Sequence, residues 1–91
     1  MAFSEFGRRV AENASGGTDH GVAGPMFLAG PAVRGGLIGK HPSLANLDQG
    51  DLRMSIDFRE VYSALLQHWL DVAPAPIVGE QFEPINCLRQ V

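Results

Sequence analysis

One segment of this chain has the length and period of an amphipathic helix, and the remaining elements must be arranged around it. Phe58, Val61, Tyr62, Leu65, Leu66 and Trp69 recur at helical spacing, with Arg59, Glu60, Ser63, Gln67 and His68 on the other faces. Asp57 stands where an N-cap carboxylate accepts from free backbone N–H groups, and Glu60 three positions later completes a variant of the capping box. Ala73-Pro74-Ala75-Pro76 closes the segment, because proline cannot continue the hydrogen-bond ladder. The spacing predicts a helix over about 58–71, roughly 20 Å long, with its apolar stripe facing a core.

The other segments are short. Met1-Ala2-Phe3-Ser4 reads as the end of a strand, and Pro25-Met26-Phe27-Leu28-Ala29-Gly30 as a buried strand of a parallel or mixed sheet. Residues 5 to 24 are polar and glycine-rich without clear periodicity, which predicts a long loop, and loops of that length are usually functional or disordered. Val33, Leu37 and Ile38 around Gly35-Gly36 suggest another short strand, and Leu52-Arg53-Met54-Ser55-Ile56 alternates with the strand period. From Ile77 to Val91, brief apolar pieces are suited to covering a sheet edge. The fold class expected is α/β, with a few short strands, one helix and long loops.

Bulk properties narrow the function. Seven basic residues against ten acidic ones give a net charge of −3, and the basic residues are scattered, which argues against nucleic acid as a partner. A single cysteine, Cys87, excludes an intrachain disulfide and a cysteine-rich metal site. No apolar run approaches the ~20 residues that span a bilayer. Arg8-Arg9 is followed by Val10-Ala11-Glu12-Asn13, not by an apolar segment, so the pair reads as solvated or site-lining and not as an export signal. A chain opening directly on a strand-like segment reads as a piece of a larger domain, so residues 1–91 are expected to form a single partial domain.

Two stretches carry possible chemistry. In Thr18-Asp19-His20-Gly21, a glycine-rich loop lets a carboxylate and an imidazole converge on a cation; the alternative is a capped turn with a surface histidine. In Ser4-Glu5-Phe6-Gly7-Arg8, a carboxylate follows a strand end, where open α/β sheets place ligands, and an arginine three residues on is suited to an anionic group; the alternative is a turn with a local ion pair. His41 and His68 read as solvated residues, and Cys87 lacks the basic environment of a nucleophile. Gly35-Gly36 lacks the spacing of a phosphate-binding fingerprint.

Ser4-Glu5-Phe6-Gly7-Arg8-Arg9, Gly16-Gly17-Thr18-Asp19-His20-Gly21, Met26-Phe27-Leu28-Ala29-Gly30 and Asp57-Phe58-Arg59-Glu60-Val61-Tyr62, in this order, resemble the C-terminal part of the bacterial domain-of-unknown-function family 1501. The resemblance covers residues 1 to about 85. It implies a C-terminal portion of an alkaline-phosphatase/sulfatase-like sandwich, in which divalent metals bound by Asp and His support attack on phosphorus or sulfur. On that pattern Glu5 and His20 would be metal ligands, Asp19 would orient His20, Arg8 would contact a small anionic ester, and no catalytic nucleophile lies in the chain. Phe6 departs from the pattern, standing where a ligand would be. The implied partner is the remainder of the parent domain, the chain alone would be inactive, and the location implied is exported, periplasmic or in the cell envelope. The resemblance also admits a non-catalytic binding or assembly protein of the cell envelope with a degenerate metal site.

Overall fold

The structure, a computed structural model, describes residues 1–89. The chain divides into two compact units, one of Met1–Ala29 with Lys40–Ser55 and one of Gly30–Gly39 with Ile56–Val91. Among the described residues the fold is mixed α/β with short strands in two-stranded sheets, a single helix of substantial length and extended loops.

In the first unit, β1 (Ala2–Phe3) pairs antiparallel with β4 (Met26–Phe27), Ala2 opposite Phe27 and Phe3 opposite Met26. The apolar run around residue 26 is therefore a two-residue antiparallel strand and not the buried parallel strand expected. Phe3 and Phe27 are 58% and 65% exposed, and alternation along a strand puts them on opposite faces of the pair. β2 (Arg8–Glu12) and β3 (Thr18–His20) pair antiparallel inside the segment expected to be a loop. The turn between them explains why periodicity missed it. Asn13 Oδ1 accepts from the backbone N–H groups of Ser15 and Gly17, both at 3.0 Å, and Asn13 N–H donates to the Gly17 carbonyl at 2.6 Å. A side chain thus shapes the loop locally. β5 (Leu47–Asp48) and β6 (Asp51–Leu52) form a third pair. Their connection, Gln49-Gly50, has φ values of 51° and 87°, the double left-handed geometry of a two-residue hairpin turn. Strand structure thus ends at Leu52 and does not extend to Ile56.

The second unit contains the buried core. Helix α1 (Phe58–Ala64) continues into a π-helical segment, Leu65–Trp69. Helical structure ends two residues before the predicted 71 because Leu70 N–H donates back to the Leu65 carbonyl, 3.0 Å, and Asp71 takes a left-handed φ of 55°. At the start, Asp57 Oδ1 accepts from Arg59 N–H at 2.9 Å and Glu60 Oε1 accepts from Asp57 N–H at 2.9 Å, the reciprocal pair anticipated. Val61 and Ala64 are buried with Cys87 and Leu88, and buried Ser63 donates through Oγ to the Phe82 carbonyl at 2.7 Å. Phe58 and Trp69, by contrast, are 50% and 63% exposed, so the stripe is core only along its middle. The stretch around Gly35-Gly36 forms no strand. Val33 alone bridges Leu88, flanked by Arg34 N–H donating to the Cys87 carbonyl and Arg89 N–H to the Ala32 carbonyl, at 2.9 and 2.6 Å. The tail also holds a short helix, α2 (Ala75–Val78), with Pro76 in its first turn, where a missing N–H costs nothing. Gln90 and Val91, the end of the tail expected to cover a sheet edge, lie outside the described residues.

The Arg59 guanidinium meets Asp57 at 2.8 and 2.7 Å, and these hydrogen bonds, with that from the Arg59 backbone, hold the Asp57 carboxyl at a pKa of about 2. A depressed folded-state pKa contributes stability that is present above the ordinary carboxylate value of about 4 and is lost as pH falls through about 2. Asp57→Ala is expected to lower the unfolding free energy by about 1 kcal/mol at neutral pH. In parallel denaturant titrations the difference from the parent chain should shrink as pH falls from about 4 to about 2.

Candidate functional site

The residues singled out from the sequence lie around the base of the β2–β3 pair. Arg8 is directly opposite His20 in the ladder. Gly21 N–H donates to the Gly7 carbonyl at 2.6 Å, which makes Arg8–His20 a non-hydrogen-bonded pair. In antiparallel sheets such pairs have the closer approach, with Cα atoms about 4.5 Å apart and side chains on the same face. The Phe6 ring packs edge-on against the His20 imidazole, with centroids 6.1 Å apart and planes at 63°. Arg8 Nη1 donates to the Thr18 carbonyl at 2.8 Å, which fixes one edge of the guanidinium and leaves its other donors available. Arg8, His20, Phe6 and Glu5 are all exposed.

Two glycines create this juxtaposition. A Cβ at Gly7 would collide with the Ala23 carbonyl, and a Cβ at Gly21 would lie 2.8 Å from the Arg8 carbonyl carbon. The chain entering β2 and the chain leaving β3 thus touch backbone to backbone, an approach that only glycine permits. Phe6 is carried beside His20 by this contact, although it is distant from it in sequence.

Asp19 neighbours His20 in β3, so alternation turns it to the opposite face. Its Oδ1 accepts from Asn13 Nδ2 at 3.2 Å, which ties it to the hairpin turn. A catalytic zinc takes about three protein ligands and an open position. Among the described residues no three His, Cys, Asp or Glu side chains converge closely enough to hold a metal ion, so this chain's own residues do not fit a complete metal site. Among the described residues no helix is long and apolar enough to cross a membrane. Cys87 is buried, and burial raises its thiol pKa, which disfavours the thiolate a nucleophile requires.

A family model described as "Protein of unknown function (DUF1501)" matches residues 1–72. The chain belongs to the DUF1501 family. No curated protein matches it, and no solved structure does. The match in this DUF1501 chain covers the whole Gly7–Gly21 crossing, the β5–β6 hairpin and the long helix; it ends before α2. The sequence pattern points to Glu5, Arg8, Asp19 and His20, but not to the Gly7–Gly21 bond or the Phe6–His20 contact. The available signal was a lone glycine directly after each candidate ligand segment.

Gly7→Ala and Gly21→Ala are expected to separate the two strands, at a cost of about 1–3 kcal/mol typical of forced overpacking. Amide chemical shifts of Thr18, Asp19 and His20 should move towards random-coil values in either variant, while those of the 58–69 helix stay in place. Unchanged shifts at 18–20 would contradict the tight crossing.

Proposed function

We propose that this DUF1501 chain is the C-terminal portion of a metal-dependent phosphatase- or sulfatase-like hydrolase, and that it supplies one corner of the site. Glu5 and His20 are then two of the ligands for a divalent metal, and the remaining ligands and the nucleophile come from residues outside this chain. A bound metal would supply Lewis-acid polarisation of the ester and an activated oxygen nucleophile. Arg8 holds an anionic oxygen through the guanidinium donors it does not spend on Thr18, a geometry suited to phosphate or sulfate. Asp19 supports His20 indirectly, by fixing the turn through Asn13. The observation that carries this reading is the direct opposition of Arg8 and His20 at a glycine crossing. A cation and an imidazole on one exposed face suit an anion and its leaving group better than a purely structural turn requires. The fold implied is a larger α/β sandwich, and alone this chain would have no hydrolytic activity.

A second reading is favoured by Phe6, whose ring lies against His20. On that reading the face binds an anion without turning it over, as a binding or assembly surface of the cell envelope.

Both readings require anion binding at Arg8 and His20. Titration of the isotope-labelled chain with inorganic phosphate should shift the amides of Arg8, His20 and Gly21, and Arg8→Ala should weaken the response about tenfold, as expected for one charge-assisted hydrogen bond. No response at these positions, in this chain and in a longer protein carrying it, would remove both readings. To separate them, a longer protein carrying this segment is screened against phosphate and sulfate esters with several divalent metals. Turnover that falls together with metal content in His20→Ala supports the hydrolase; anion binding without turnover supports the second reading, and unchanged metal content removes His20 as a ligand.

A further inference from the structure

Adjacent arginines open β2, and they have different partners. Arg8 opposes His20, and the next ladder pair is Glu12 opposite Thr18. Between those pairs β2 has Arg9, Val10 and Ala11, whereas β3 has Asp19 alone, so β2 bulges at Arg9–Ala11. A bulge bends its strand and re-aims side chains. Here the Arg9 side chain reaches the β5–β6 hairpin, where Nη2 donates to the Gln49 carbonyl and Nε lies 3.5 Å from Asp51 Oδ1.

The hairpin is shaped to receive that guanidinium. Asp48 and Asp51 face each other across β5 and β6, an arrangement of like charges that is unfavourable unless a cation offsets it. Asp51 Oδ1 is enclosed and accepts no hydrogen bond, so the ion pair with Arg9 is its compensation. A Cβ at Gly50 would collide with the Arg9 guanidinium, and the φ of +87° there independently calls for glycine.

A one-residue slip in a strand transfers every side chain to the other face. With arginine at both 8 and 9, the β2–β3 ladder has little chemistry of its own to favour Arg8 over Arg9 opposite His20. We propose that Arg9 is a positioning residue: by occupying the Gln49-Gly50-Asp51 turn it sets the β2 register that leaves Arg8, and not Arg9, beside His20. Its consequence for anion binding rests on the function proposed above; its consequence for register does not.

The test compares the labelled full chain with Arg9→Lys, Gly50→Ala and, as a control, Arg53→Ala, whose guanidinium contacts Asn46 in the same unit. Lysine keeps the charge but lacks the fork that spans a carbonyl and a carboxylate. The parent and Arg53→Ala should show the Hα–Hα cross-peak between residues 8 and 20 that a non-hydrogen-bonded pair gives. In Arg9→Lys and Gly50→Ala that peak should weaken or be replaced by one between residues 9 and 20, and the apparent affinity of inorganic phosphate at His20 should fall about tenfold. An intact 8–20 cross-peak in both variants overturns the proposal. So does collapse of residues 18–20 to random-coil shifts in both, which would make Arg9 a general anchor of the unit. A parent chain that shows the cross-peak but no phosphate response sinks the anion reading alone, and the cross-peaks still decide the register.

Discussion

The bond from Gly21 N–H to the Gly7 carbonyl is the constraint on which the first unit's arrangement depends. It joins the start of β2 to the end of β3, fixes Arg8–His20 as the close type of antiparallel pair, and delivers Phe6 to the side of the imidazole. The bond is possible because both residues lack a Cβ, at positions where one would strike backbone atoms. Around it the unit is held by polar contacts more than by apolar burial. Asn13 organises the turn, Asp19 ties to Asn13, Arg8 reaches the Thr18 carbonyl, and Arg9 spans to the β5–β6 hairpin.

The buried residues of the described chain, Val61, Ser63, Ala64, Cys87 and Leu88, all belong to the second unit. In the first unit Phe3, Phe6, Val22 and Phe27 are exposed, and the β1–β4 pair presents an aromatic ring on each face. Two-stranded sheets are marginal in water on their own. This surface is consistent with the proposal that residues 1–91 form part of a larger domain, whose other layers would cover both faces of that pair.

Legibility in the sequence followed the range of the interactions. The helix was readable because its cap, period and stop are all local: Asp57, Glu60 and the stripe around Val61 sit within a few turns of one another. Its last turn is shorter than the periodicity predicts because the π-type bond at Leu70 and the left-handed Asp71 leave no mark on the apolar pattern. The β2–β3 pair was hidden for a related reason. Its strands are exposed and bulged, so they lack apolar alternation, and their turn is built by one asparagine side chain. Family resemblance located Glu5, Arg8, Asp19 and His20 as positions of interest. The contact that brings Arg8 to His20 is between glycine backbones, and no side-chain pattern encodes it.

Amide hydrogen exchange at Gly21 reports whether this crossing is formed and persistent. A Gly21 amide that exchanges well below its free-peptide rate, together with that of Asn13, which closes the other end of the pair, is the result predicted. A Gly21 amide that exchanges as freely as in an unstructured peptide, while the amides of Val61 to Leu65 remain protected, would contradict it.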